Sequence, residues 1–441
     1  MGSMSRFAIL TAVLLVLAGS VAFASATGIF GGSDEDPAQR ISAVESLTDR
    51  AITQLQQRLG GNPDDVPSLN NLGFAYLQEA RESGDPAFYS KADGVFQRAL
   101  TINARDQSAL IGASAVAAAR HDFTQALAFA EQGRELDPED PDANGALGDA
   151  LIELGRYDEA LDAFQQMLDT RPDLNAYVRV AYARELHGDS DGAIEATRLA
   201  LEASRPTGET AAWVRSQLGN LYFNRGDLTG ASEQYEASLS AFPRYIHALA
   251  GLARVAAANE DYERAIELYS EVVSRQPVLE HVTAQGDVYR AAGRDADAQR
   301  QYDLASAIDS LYRANGINTD LEMALFLADH DLRLDEALAQ ARAIYGKQPG
   351  SIRTADTLSW ALYKAGRYDE ASVYSKEALR LGTRDPLLLF HSGMIAFELG
   401  DFAASRERLQ QAIDLNPRFS VLHAKEAAAV LSELGTAAYR R

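Results

Sequence analysis

Apolar residues recur three and four apart along most of this chain, and short polar punctuation breaks them at regular intervals. Leu72 and Tyr76, Leu147 and Leu151, and Leu218 and Tyr222 are each spaced four apart, which puts each pair on one face of a helix. Gly or Asp, followed by an aromatic residue, separates one such segment from the next at Phe123, Tyr157, Tyr262, Tyr368 and Phe402. The pattern predicts short amphipathic helices throughout, joined by tight turns, and no strands.

The turns resemble one another. Gly155-Arg-Tyr-Asp-Glu-Ala160 returns unchanged at Gly366 to Ala371, with variants at Gly226 to Ala231, Gly293 to Ala298 and Gly400 to Ser405. Aligning on the closing Ala places repeat starts near 66, 107, 141, 174, 212, 246, 279, 318, 352 and 386. Six of the nine spacings lie within one residue of 34, and the longer ones mark insertions near Arg81–Tyr89, Arg205–Glu209 and Asp309–Gly316, which read as loops. Position twenty is Ala in nine repeats and Ser405 in the tenth, and six repeats close on Pro. Position eight is Gly73, Ser114, Gly148, Ala181, Gly219, Ala253, Gly286, Leu325, Ser359 and Gly393. Small residues at both positions let two helices of one repeat approach closely, and no such pair can bury its apolar face without neighbours.

This period and pattern resemble the tetratricopeptide repeat. The resemblance implies an all-α fold, a right-handed superhelical solenoid of helix-turn-helix units spanning 66–418. A leading half-repeat helix is expected over 40–65 and a capping helix over 419–441. From Leu311 to His423 the wording also resembles uncharacterised bacterial tetratricopeptide proteins, exported or anchored. In this family the first helices line a concave groove, through positions two, five, nine, twelve and thirteen. Carried over residue by residue, the groove would contain Trp213, Ser216, Asn220, Phe223 and Asn224 of the fifth repeat. His247 and Arg254 follow from the sixth, Glu322 and Phe326 from the eighth, and Asp356, Trp360, Tyr363 and Lys364 from the ninth. The tenth supplies Phe390, Met394 and Phe397. Of the carboxylate clamp in the chaperone-tail subfamily only Asn220 is present, and the asparagine ladder of sugar-transferring relatives is absent.

The N-terminus departs from the repeat. Phe7 to Ser33 carries no charge, Arg6 precedes it, and small residues follow at Ala22, Ala24 and Ala26. Basic start, apolar core and A-x-A site describe a signal peptide over 1–26. The rival reading is an uncleaved membrane anchor over residues 7–30, long enough to span a bilayer. Both place the repeats outside the cytoplasm, periplasmic or extracellular, after a spacer over 27–39.

Net charge is −22, which opposes nucleic-acid binding, since that rests on Lys and Arg neutralising phosphates. There is no cysteine, so disulfides and thiolate chemistry are excluded. No two of the seven histidines lie three to five residues apart, and no H-E-x-x-H or phosphate-cradling Gly loop occurs. Asp329-His330-Asp331 is the one metal-like cluster, read as capping residues at a helix turn. Acid pairs such as Asp158-Glu159 recur with the repeat and suit helix N-termini. No segment is left over for a catalytic domain, so no enzyme activity and no cofactor are expected. The function expected is a scaffold holding a protein partner in the groove. The alternatives are a self-assembling structural protein, a homo-oligomer joined through its end helices, and a glycan-binding solenoid or accessory subunit of the cell envelope.

Overall fold

The computed structural model describes residues 47–438, and the apolar stretch and spacer of the N-terminus lie outside them. Among the described residues there are 22 helices and no strand. Helix α1 (Leu47–Gly61) leads into ten antiparallel pairs. The first four are α2 (Val66–Ser83) with α3 (Ala87–Ile102), α4 (Gln107–Ala119) with α5 (Phe123–Leu136), α6 (Pro141–Glu153) with α7 (Tyr157–Thr170), and α8 (Leu174–Leu186) with α9 (Ser190–Glu202). Next come α10 (Glu209–Asn224) with α11 (Leu228–Ala241), α12 (Ile246–Ala258) with α13 (Tyr262–Arg275), and α14 (Leu279–Ala291) with α15 (Asp295–Ala314). The last three are α16 (Asp320–Asp329) with α17 (Leu334–Lys347), α18 (Ile352–Lys364) with α19 (Tyr368–Ala378), and α20 (Pro386–Glu398) with α21 (Phe402–Leu415). Helix α22 (Ala424–Ala438) packs on α21 and closes the stack.

Turn chemistry starts the helices. The side chains of Asp106, Asp140, Asp173, Asp189, Asp227, Asp261 and Asp401 each accept a hydrogen bond from a backbone N–H in the first turn of the helix that follows. Each thereby satisfies a donor that the helix itself cannot pair. The third insertion is not a loop. Helix α15 runs on through it to Ala314, because Asp309, Ser310 and Arg313 continue the helix, with Arg313 Nε bonded to Asp309 Oδ1 at 2.9 Å.

Where position eight is glycine, a bulky residue of the second helix fills the space over it. A Cβ at Gly73 would sit 2.4 Å from the Phe96 ring, at Gly148 2.3 Å from Phe164, at Gly219 2.5 Å from Tyr235 and at Gly286 2.4 Å from Tyr302. The next repeat approaches the same rings from the other side, since a Cβ at Gly112 would meet Phe96 at 2.2 Å and at Gly251 would meet Tyr235 at 2.4 Å. The position-twenty residues, from Ala92 to Ser405, are all buried. At these two junctions, Phe96 and Tyr235, a ring held between two glycines ties neighbouring repeats together.

The solenoid also touches itself at long range. Gln276 Nε2 donates to Arg81 O at 2.8 Å, Ile352 N donates to the Tyr157 hydroxyl at 3.0 Å, and Asn416 Nδ2 donates to Phe223 O at 2.8 Å. Asn318 N donates to Arg120 O at 3.0 Å, and Lys425 pairs with Glu260 at 2.9 Å. The first two contacts each join residues 195 apart in sequence and the third joins residues 193 apart. After about six repeats the chain therefore completes a turn. The turns between the two helices of each earlier repeat form one edge, and the segments between later repeats dock along it as a seam.

Candidate inner-face site

The first helices face inward, and three clusters form on that face. The most open is a cleft between the fourth and fifth repeats, lined by Tyr182, Glu185, Trp213, Gln217, Asn220 and Asn224 over a floor of Val178, Ala181, Thr197 and Leu221. Its empty space is about 520 Å³, including solvent at the mouth. Trp213 is half-buried and packs against the small core of Leu174, Val178, Ala200 and Val214. Asn224 Nδ2 donates to Glu185 Oε1 at 3.1 Å, and Tyr182 Oη donates to Glu153 Oε1 at 3.1 Å. No Lys or Arg lines the cleft. It offers aromatic faces, amides that both donate and accept, and one carboxylate.

A second cluster follows in the fifth and sixth repeats. Asn220 Oδ1 accepts from Tyr235 Oη at 2.7 Å and from Arg254 Nη2 at 3.0 Å, while the Arg254 guanidinium lies 4.0 Å from the Phe223 ring centre. Glu280, exposed to solvent, lies within electrostatic reach of Arg254. Burial holds the His247 and His281 imidazoles neutral, lowering them to about 4 and about 3.

The third cluster binds the last repeats to α22. Trp360 Nε1 donates to Asp329 Oδ1 at 2.7 Å, and His423 of the capping segment reaches the same oxygen at 3.2 Å. His391 pairs with Asp356 at 3.0 Å and His330 with Asp287 at 2.7 Å. Trp360 stacks on His391 at 4.1 Å and on Tyr363 at 4.7 Å, and Lys364 pairs with Asp331 at 2.9 Å. His330 caps the C-terminus of α16, its Nδ1 lying 2.6 Å from Phe326 O, and also pairs across helices, whereas the half-buried Asp329 serves only as a partner to other repeats. Asp329 caps nothing because both of its bonds run to other repeats. No group of three metal-ligating side chains occurs among the described residues.

The expected groove residues therefore separate. Trp213, Asn220 and Asn224 come together in the cleft. Arg254, Tyr363, Lys364 and Phe397 are half-buried. Phe223, Phe326, Trp360 and Phe390 are only 3%, 6%, 1% and 0% exposed. Their rings meet Arg254, Tyr302, His391 and His423 respectively, so they serve packing in this arrangement. A turn of only about six repeats crowds the first helices, and α22 covers the final pair. Tyr182 and Glu185 were missed, although they stand at positions nine and twelve of the fourth repeat, where the rule used for the later repeats would have found them. No G-x-S-x-G was expected, yet Gly188-Asp189-Ser190-Asp191-Gly192 has that spacing of a nucleophile elbow. That elbow requires a strand-to-helix turn. Here the segment joins α8 to α9, and Asp189 spends its carboxylate capping Gly192 N at 2.8 Å.

Comparison with known proteins agrees with the repeat geometry. Tetratricopeptide repeat models match residues 117–184, 216–279 and 357–418. Cellulose synthase 1 operon protein C of Komagataeibacter xylinus is 26% identical over 213 residues, 48% of this chain and 14% of that protein. Cellulose synthase operon protein C of Pseudomonas fluorescens (strain SBW25) is 26% identical over 271 residues, 57% of this chain. The chain spans only 14% and 21% of the length of these relatives. A tetratricopeptide repeat protein from Parabacteroides merdae superposes with a TM-score of 0.35 at 14% identity, over 63% of this chain and 98% of its own. No helix among the described residues is long and apolar enough to cross a membrane. The recurring helix pairs, the small residues under their rings and the matched repeat models make this chain a tetratricopeptide-repeat protein.

Proposed function

We propose that the chain is a non-enzymatic scaffold that holds an extended segment of a protein partner against its inner face, centred on the cleft of the fourth and fifth repeats. The observation that carries this reading is the meeting of Trp213, Asn220 and Asn224 with Tyr182 and Glu185 in one open cleft. Side-chain amides pair with both the N–H and the C=O of an extended backbone, and half-exposed aromatic rings supply the anchoring area that interfaces favour. Tetratricopeptide repeats generally mediate protein–protein contacts, and scaffolds of this family are generally non-enzymatic. The charge-free stretch of residues 7–30 supports a location outside the cytoplasm, as do the operon names of the two relatives.

A photo-crosslinking residue placed at 213 or 224 in the full chain, expressed in its own host, tests the site. Adducts with one protein are expected from both positions, and Asn220→Ala should weaken them. Adducts formed only from an outer-face control position, such as 233 on α11, would refute the inner-face assignment.

A further inference from the structure

The seam between successive turns walls off the inner face along its side. We propose that this seam is a latch, which parts to admit a partner laterally to the inner face and closes again with the helix pairs intact. The proposal rests on the reading that the inner face is where a partner binds.

Three observations carry it. First, the residue that ends the second helix changes character where it joins the seam. At the free edge of the early repeats it is Asn103, Asp137, Arg171 or Phe242, none of them buried. In the later repeats Asn315 and Leu379 are half-buried, while Gln276, Gln348 and Asn416 are buried, and the amides of Gln276 and Asn416 reach backbone carbonyls across the seam. The chain has been shaped for closure. Second, the flanks of the seam are joined by separate polar contacts: Arg353 to Glu153 at 3.4 Å, Arg418 to Asn259 at 2.6 Å and Lys425 to Glu260 at 2.9 Å. Apolar packing across it is concentrated at its centre, where Ile352, Ala355, Ala378 and Leu388 join a core formed by the second to fourth repeats. Within a turn most adjacent repeats pack helix against helix, and Phe96 and Tyr235 each sit between glycines of two repeats, whereas no helix pair packs in this way across the seam, so the seam is the weaker interface. Third, apart from the seam itself, each repeat packs on the repeats next to it in sequence. Small rotations shared over about six repeats would part the edges without breaking any helix pair.

Native-state hydrogen exchange on the full chain tests this, using a lock across the seam. A Cβ on Gly84 lies 2.8 Å from Gln276 Cγ, so Gly84→Cys with Gln276→Cys brings two thiols within disulfide reach, and no native cysteine competes. Glu260→Cys with Lys425→Cys, joined by a short bis-maleimide, is the second lock. The amides of Asn318 and Ile352 bond across the seam and report its opening. In the reduced protein they should exchange at least tenfold faster than helix-interior amides of α16 and α18, and either lock should slow them at least tenfold. Equal exchange in locked and unlocked protein, or seam amides as protected as the helix interiors before locking, would overturn the latch. No partner enters this measurement, so its failure is separable from failure of the crosslinking test above.

Discussion

Gly155 and Gly366 occupy the same place in two copies of one hexapeptide, with nearly the same backbone, φ +75° and +70°. Replacing either by Ala imposes the same left-handed strain, about 1 kcal/mol. Their surroundings differ. At Gly366 a Cβ meets nothing within 4 Å. At Gly155 it would lie 1.8 Å from Gly350 C and 2.0 Å from Gly350 O, backbone atoms that cannot rotate away. Ordinary contact would require the seam to shift by more than an ångström, which breaks the Ile352 N to Tyr157 hydroxyl bond, worth about 1 kcal/mol. Overpacking adds about 1–3 kcal/mol more. Gly155→Ala should therefore be about 2–4 kcal/mol more destabilising than Gly366→Ala. Urea denaturation followed by circular dichroism measures the difference, and small-angle scattering should show a larger radius of gyration for Gly155→Ala alone. Equal destabilisation of the two variants, with unchanged scattering, would refute the seam as described.

Three further predictions follow from the packing and charges. Asn416→Ala removes a buried amide that bonds Phe223 O and should cost about 1–2 kcal/mol in chemical denaturation, whereas Asn103→Ala at the exposed equivalent position should cost less than about 0.5. Gly112→Ala drives a methyl group into the Phe96 ring and should lower stability by about 1–3 kcal/mol, while Gly94→Ala, on an exposed helix position with open space, should raise it by about 0.5–1. The Asp329 and Glu426 carboxylates facing His423 raise its imidazole to about 9, against desolvation. Because the folded value lies above the unfolded one, the stabilisation is fully present below about pH 6.5 and lost as pH rises through about 9. Melting temperature should fall over that window, and His423→Gln should flatten the slope; an unchanged slope in the variant would remove His423 as its source.

Much of this architecture was legible in one dimension. The return of a Gly-aromatic turn and a small residue at position twenty imposes paired helices, because only a small residue lets two helices pack so closely, and the chain repeats that condition ten times. The same periodicity identified the inward positions, and three of them, Trp213, Asn220 and Asn224, meet in the open cleft. Periodicity could not say how tightly the solenoid would coil. That depends on small rotations at every repeat interface, set by how the side chains of neighbouring repeats seat against one another, and these accumulate over residues about 195 apart. The tertiary structure alone decided that Gln276 and Asn416 would be buried against an earlier turn while Asn103 stays in solvent. It likewise decided that Trp360 and Phe390 would be covered, and that Gly155 would meet a backbone where the identical Gly366 meets open space.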